Sequence, residues 1–230
     1  MYKYILLDLD DTLIDYDYST KYAFDQMITK FDIKKYTYND FKLFESIYWQ
    51  SIPYSKFLDN SNEPLEKIMQ LGVEMIEKFL KIDNVLAYKI YLYYESLLGE
   101  KVLKTENYDE EIKLLSKISK MIISTNGNKN QAIKKIKKIN LQHLILDIIS
   151  PQDSGFSKSF LEYYDYIFKK FNIVNKNEVL IIGDSLLSDI KSGNLYGIDT
   201  CWYNKKNKIN DTEYIPTYEI KSFKELVKKI

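Results

Sequence analysis

The sequence predicts an α/β protein, a doubly wound parallel sheet whose first strand is separated from the others by an α-helical insertion. Three observations predict it. The chain opens with a short apolar run, Tyr4 to Leu9, that leads straight into acids. From about Tyr16 to Gly99 apolar residues recur at helical spacing, and beyond Gly99 helical and strand patterns alternate. With 230 residues, 45% of them hydrophobic, the chain is long enough to bury one large domain or a domain with an insert.

The first run has the character of a buried parallel strand delivering polar groups at its carboxyl end. In the insertion Phe24, Met27, Ile28 and Phe31 fall at i, i+3, i+4 and i+7, and Leu65, Ile68, Met69, Met75, Ile76 and Phe79 repeat that spacing. Breaks near Ile52-Pro53, over Asp59 to Pro64 and over Lys81 to Asn84 divide it into four helices, with Asn84 as an N-cap. The alternation that follows predicts helix over Asp109–Lys120, strand over Met121–Ser124, helix over Asn130–Asn140 and strand over Leu144–Ile149. It continues with helix over Ser157–Phe171, strand over Val179–Gly183, helix over Leu186–Leu195 and strand over Thr200–Tyr203.

Composition excludes several classes. Basic and acidic residues balance at 33 each, so no basic field calls for nucleic acid. All 33 basic residues are lysine, so a phosphate would be held by lysine, hydroxyls, backbone N–H groups or a metal, not by arginine's planar fork. The single cysteine, Cys201, allows no intrachain disulfide and reads as a small core residue. No apolar stretch approaches the roughly 18 residues of a membrane span, and the first acids come too early for a secretory signal, so the expected location is cytoplasmic. His143 precedes a strand and reads as structural, and the lysine-rich stretch Asn204 to Asn210 reads as a solvated loop.

In sheets of this kind ligands bind outside the carboxyl ends of the strands, and four of those ends carry chemistry. The first ends in Asp8-Leu9-Asp10-Asp11-Thr12 and another in Thr125-Asn126-Gly127, a turn with Gly127 read at positive φ. Lys158 stands at the predicted start of a helix, against the sign of the helix dipole. The last, Gly183-Asp184-Ser185, has Asp189 five residues beyond Asp184. Each has a bland alternative, a capping acid, a common turn or a surface lysine, but their order on successive strand ends favours a single site. Carboxylates gathered at one place require a hard cation, for which Mg²⁺ suits, and a lysine and a threonine beside it would hold a phosphoryl group.

This ordered set resembles the four motifs of the haloacid dehalogenase-like (HAD) hydrolases, and the insertion resembles that superfamily's C1-type helical cap. The stretch Gly183 to Asn204, with Ile215 to Ile220 and the closing Lys224 to Ile230, is similar to the bacterial HAD pyrimidine 5′-nucleotidases. The resemblance implies a core of residues 1–15 and 100–230 and a cap of residues 16–99. It implies Asp8 as the nucleophile forming an aspartyl-phosphate and Asp10 as the acid and base. Mg²⁺ would be held by the carboxylates of Asp8 and Asp184 and the carbonyl of Asp10, with Asp189 behind them or orienting the lysine. Thr125 and Lys158, with the N–H groups of Leu9, Asp11 and Asn126, would hold the phosphoryl oxygens, and the Asp11 side chain could cap the chain entering the insertion. One departure is Ser159 after the lysine, where the family commonly has proline.

The expected substrate is a small phosphomonoester, a nucleoside monophosphate before others, and the expected assembly a monomer or homodimer. A sugar-phosphate phosphatase and a phosphomutase share the core motifs. Asp10 separates the chain from dehalogenases proper, because halide leaves without a proton. A receiver-type signalling module would lack the insertion, and the intact acid set argues against an idle binding protein. Tyr16, Tyr18, Tyr22, Tyr48, Trp49 and Tyr54 are candidates to stack on a nucleobase, against a core role in a chain with 21 tyrosines.

Overall fold

A computed structural model describes residues 2–52 and 64–230. Residues 1–16 and 102–230 form one compact unit and residues 17–101 a second.

The first unit is built on six parallel strands in the order β3-β2-β1-β4-β5-β6. They are β1 (Tyr4–Leu7), β2 (Lys120–Ser124), β3 (Ile145–Ile149), β4 (Val179–Gly183), β5 (Asp199–Tyr203) and β6 (Tyr218–Ile220). β1 lies between β2 and β4, and successive side chains point to opposite faces. Ile5 and Leu7 pack into a cluster with Ile112, Leu115, Ile136 and Phe223, while Leu6 joins Tyr163, Tyr164, Ile167 and Tyr196 on the other side. A strand covered on both faces has no room for polar alternation, which is why β1 and β4 read as continuous apolar runs. After β1 the chain builds outward through β2 and β3, then returns to β4 on the other flank. The carboxyl ends of β1 and β4 therefore straddle the reversal of winding, the place where sheets of this kind bind ligands.

The sixth strand is an addition to the five that the sequence predicts. At three residues, paired only with β5, it is too short to show a period. The predicted helix over Ser157–Phe171 is also shorter. The segment holds a four-residue helix, Pro151–Ser154, closed by Gly155 at φ 79°, and then a helix over Leu161–Phe171. Lys158 consequently lies in a turn ahead of the second helix, so the dipole argument does not apply to it.

Among its described residues the second unit has four helices, α1 (Tyr16–Lys30, its first residue grouped with the sheet), α2 (Tyr38–Ser51), α3 (Pro64–Leu80) and α4 (Asn84–Leu97). Phe41 is fully buried at its centre, with ring centroids 5.2 Å from Phe24, 5.3 Å from Phe79 and 5.4 Å from Tyr94. Helix α2 starts with a reciprocal capping box between Thr37 and Asp40. The cap of α4 is Asp83 rather than Asn84, because the Asp83 carboxylate accepts from the Leu86 N–H at 3.0 Å.

Candidate active site

β1 ends at Leu7, and a hydrogen bond from the Asp8 N–H to the Ile182 carbonyl, 2.9 Å, keeps Asp8 aligned with β4. The chain then folds back on itself, with Leu13 and Ile14 both donating to the Leu9 carbonyl. Asp11 takes the left-handed conformation at φ 62° that this turn demands, and its N–H donates to the Ile14 carbonyl at 2.7 Å. That corrects one expectation, since an N–H committed inside the turn is not available to a phosphoryl oxygen. The Asp11 carboxylate accepts from the Tyr16 N–H at the start of α1, 3.4 Å, as a cap would. Among the described residues no partner accepts from the N–H of Leu9 or of Asn126. The outgoing and returning segments are tied to each other, Asp15 donating to Leu103 at 2.8 Å and Thr105 to Leu13 at 3.0 Å.

Lys158 is 2% exposed, and its ammonium donates to Asp8 Oδ1 at 2.5 Å and to Asp189 Oδ1 at 2.7 Å. Burial opposes its charge, but the carboxylates of Asp189 and Asp8 outweigh that and hold its pKa well above the ordinary lysine value. Its turn is fixed by Asn126, whose side-chain Oδ1 accepts from the Lys158 N–H at 2.8 Å. Thr125, 2% exposed at the end of β2, accepts from the Gly127 N–H at 3.0 Å, which leaves its hydroxyl proton free to donate. Gly127 does not have the positive φ read from the sequence. Its value is space, since a Cβ there would lie 3.3 Å from Thr125 Oγ1 and 3.6 Å from Asp10 Oδ2.

β4 ends in Gly183 and passes into a widened helical turn, Leu186–Lys191, in which Ile190 bonds back to Ser185. Such π-type turns favour functional sites. Ser185, not Asp184, caps it, accepting from the Ser188 N–H at 3.2 Å. Asp184 is thereby released from capping, and its carbonyl is held by the buried Trp202 indole at 2.9 Å.

Asp8, Asp184 and Asp189 each place a carboxylate oxygen within 4.8 Å of the others. Asp189 has both oxygens engaged, by Lys158 and by the Ser185 N–H at 3.2 Å. Asp8 Oδ2, in contrast, is buried with no hydrogen-bond partner among the described residues, a costly state for a charged oxygen. Burial, with the charges of Asp8 and Asp189, pushes the Asp184 carboxyl up to about 8, while burial offset by Lys158 leaves Asp189 at about 6. An orphaned buried oxygen beside a carboxyl that resists ionisation fits an all-oxygen site for a divalent cation. Asp8 and Asp184 are the residues that could hold it.

Asp10 stands apart from that cluster. Its Oδ1 accepts from Lys135 Nζ at 2.6 Å, and burial, opposed by Lys135 and reinforced by Asp8 and Asp11, raises its pKa above the usual carboxylate range. Lys135 was not singled out from the sequence. The available signal was its place on the helix Lys129–Lys138, beside Ala132, Ile136 and Ile139 on the inward stripe, where a cation requires a buried acid. Residues 205–209 of the lysine-rich loop are exposed as expected while Asn204 is buried, and Lys206 reaches to 3.7 Å from Asp11 and Lys208 to 3.9 Å from Asp184.

Of the aromatic candidates, Tyr48 is 5% exposed inside the helical unit, with Trp49 edge-on against it at 5.5 Å, which favours the core role for both. Tyr16 and Tyr22 are half-buried, Tyr18 is exposed, and Tyr54 lies outside the described residues.

Comparison with known proteins finds relatives in sequence and in fold. Pyrimidine 5′-nucleotidase PynA of Streptococcus pneumoniae is 27% identical over 98% of this chain and 94% of its own length. Pyrimidine 5′-nucleotidase YjjG of Escherichia coli is 22% identical over 97% and 95%. The HAD-hydrolase YfnB of Bacillus subtilis is 42% identical over a stretch that spans 46% of this chain and 45% of YfnB. A crystal structure of YfnB bound to magnesium, described as revealing interdomain movement, superposes with a TM-score of 0.83 over 99% of this chain and 98% of that one, at 27% identity. The family described as haloacid dehalogenase-like hydrolase matches residues 2–197, and with the acid cluster at the sheet's carboxyl edge this places the chain in the HAD hydrolase superfamily.

Proposed function

We propose that this protein is a Mg²⁺-dependent phosphomonoester hydrolase that works through an aspartyl-phosphate on Asp8 and acts on nucleoside 5′-monophosphates. The observation that carries the reaction type is the Asp8 carboxylate, one oxygen bonded to a buried lysine and the other without a partner among the described residues, beside Asp184. With a cation on the unpartnered oxygen, the carboxylate serves as the nucleophile that attacks phosphorus.

Mg²⁺, held by the carboxylates of Asp8 and Asp184 with the Asp10 carbonyl, would neutralise the acids and the charge on the phosphoryl group. The residues themselves do the rest. Thr125 and Lys158, helped by the N–H groups of Leu9 and Asn126, hold the phosphoryl oxygens. An Asp8 carboxylate oxygen forms a bond to phosphorus as the bond from phosphorus to the leaving oxygen breaks, and Asp10 gives its proton to that oxygen. Asp10 then takes a proton from the water that attacks phosphorus and frees Asp8. Its raised pKa suits the first of these steps. Asp189 keeps Lys158 aligned, and residues 16–99 are read as the cap.

The substrate class rests on two pyrimidine 5′-nucleotidases similar over nearly the whole chain. A phosphate-release screen over nucleotides, sugar phosphates and amino-acid phosphates tests it, with Asp8→Asn as the control. UMP, dUMP and dTMP are expected to lead, and Asp8→Asn to release no phosphate. Hexose phosphates clearly outrunning the nucleotides would move the assignment to a sugar phosphatase, while transfer to a second sugar hydroxyl in place of water would make it a mutase. Near wild-type turnover by Asp8→Asn would remove the nucleophile.

A further inference from the structure

The inference rests on the phosphatase reading and adds a residue to it. Lys135 is 3% exposed on the inner face of its helix, with Ala132, Ile136 and Ile139 around it, and Asp10 Oδ1 is 2.6 Å from its ammonium. The Tyr16 ring lies 5.6 Å from the same nitrogen and walls it from the side. A buried lysine is retained at a cost that an apolar residue of the same volume would not carry, so its presence asks for a use.

The two oxygens of Asp10 have different surroundings. Oδ1 is pinned by Lys135, whereas Oδ2 lies over Gly127, 3.6 Å from where a Cβ would be, with Thr125 Oγ1 3.3 Å from that same point. Oδ2 and the threonine hydroxyl therefore both border the point where a Cβ at Gly127 would stand. We propose that Lys135 is a positioning residue for the acid, holding Oδ1 so that Oδ2 is the oxygen presented to the leaving group. The proton that passes to the departing alkoxide as the bond to phosphorus breaks would leave from Oδ2, the oxygen that Lys135 does not hold.

Leaving groups of different basicity separate this role from a structural one. 4-Nitrophenolate departs with little need of a proton, while the alkoxide of a nucleotide or other alkyl phosphate requires one. The measurement is kcat/KM on 4-nitrophenyl phosphate and on the alkyl phosphomonoester that the wild type cleaves fastest, because kcat/KM covers only the steps through leaving-group departure. Lys135→Met is expected to lower the alkyl-to-aryl ratio by about tenfold to a hundredfold, a part of the roughly hundredfold to ten-thousandfold that general acid catalysis supplies, and Lys135→Arg to restore part of it. In an Asp10→Asn background, which removes both partners of the buried pair, adding Lys135→Met should change the ratio by less than about twofold, as expected of residues acting as one unit. Equal losses on both substrates, or a further selective loss in the Asp10→Asn background, would overturn the role of Lys135 and leave the phosphatase reading in place. Absence of phosphate release by the wild type from either ester would refute both.

Discussion

Gly183→Ala tests how tightly the site is built. A Cβ at Gly183 would lie 2.2 Å from Asp189 Cγ and Oδ2 and 2.8 Å from Oδ1, against an ordinary contact of at least 3.4 Å. The difference, 3.4 − 2.2, requires a shift of about 1.2 Å from a side chain that is 1% exposed and packed on every side. Asp189 is held by bonds of 2.7 Å to Lys158 and 3.2 Å to Ser185. A displacement of that size takes one or both past hydrogen-bond reach. Overpacking of this kind costs about 1–3 kcal/mol of stability, and misplacing a group that positions a reacting centre by about 1 Å costs about a hundredfold in rate. The assays are urea unfolding and steady-state hydrolysis of 4-nitrophenyl phosphate. In the Gly183→Ala background, Asp189→Ser shortens the obstructing side chain, so stability should recover while kcat stays low for want of the carboxylate on Lys158. An unchanged unfolding midpoint with kcat within about twofold of wild type would refute the reasoning.

Glu45 gives a pH test in the helical unit. Burial, with the charges of Asp17 and Glu95 and against Lys42, pushes its carboxyl up to about 7 from 4.5. The folded state thus binds this proton more tightly than the unfolded state. The stabilisation is complete below about pH 4.5 and is lost as pH rises through 7. The shift sets a ceiling of about 3.4 kcal/mol, and partial exposure of the side chain reduces it to about 1–2 kcal/mol. Glu45→Gln should therefore be more stable than wild type by that amount at pH 8 and no different at pH 4, and equal stability at pH 8 would contradict the reading. Removing divalent cations with EDTA should abolish phosphate release and lower the thermal midpoint by a few degrees, because Asp8 and Asp184 are left to repel each other. Mg²⁺ should restore both, and indifference to EDTA would remove the metal from the site.

What could be read in the sequence follows from what is local. Strand β1 and its acids were legible because burial on both faces forces an unbroken apolar run, and the polar residues can start only where the strand ends. The helices of the insertion were legible from their 3.6-residue period, as Phe24, Met27, Met75, Ile76 and Phe79 show by being buried. Short or irregular pieces were not. β6 is too brief to show a period, the turn around Lys158 has the composition of a helix start, and the choice between Asp83 and Asn84 as a cap depends on one hydrogen bond.

The sequence by itself determined the fold class, the order of the elements and the acids, threonine and lysine that meet at the sheet edge, since period and strand-end chemistry are properties of neighbouring residues. Only the tertiary structure decided how those groups divide their work. It joined Lys158 to Asp8 and Asp189 across 150 and 31 residues, committed the Asp11 N–H to its own turn, and set Lys135 against Asp10 from 125 residues away. Partners so distant in the chain are chosen by the burial that forces each charge to find another, and that becomes visible only once the sheet has brought them together.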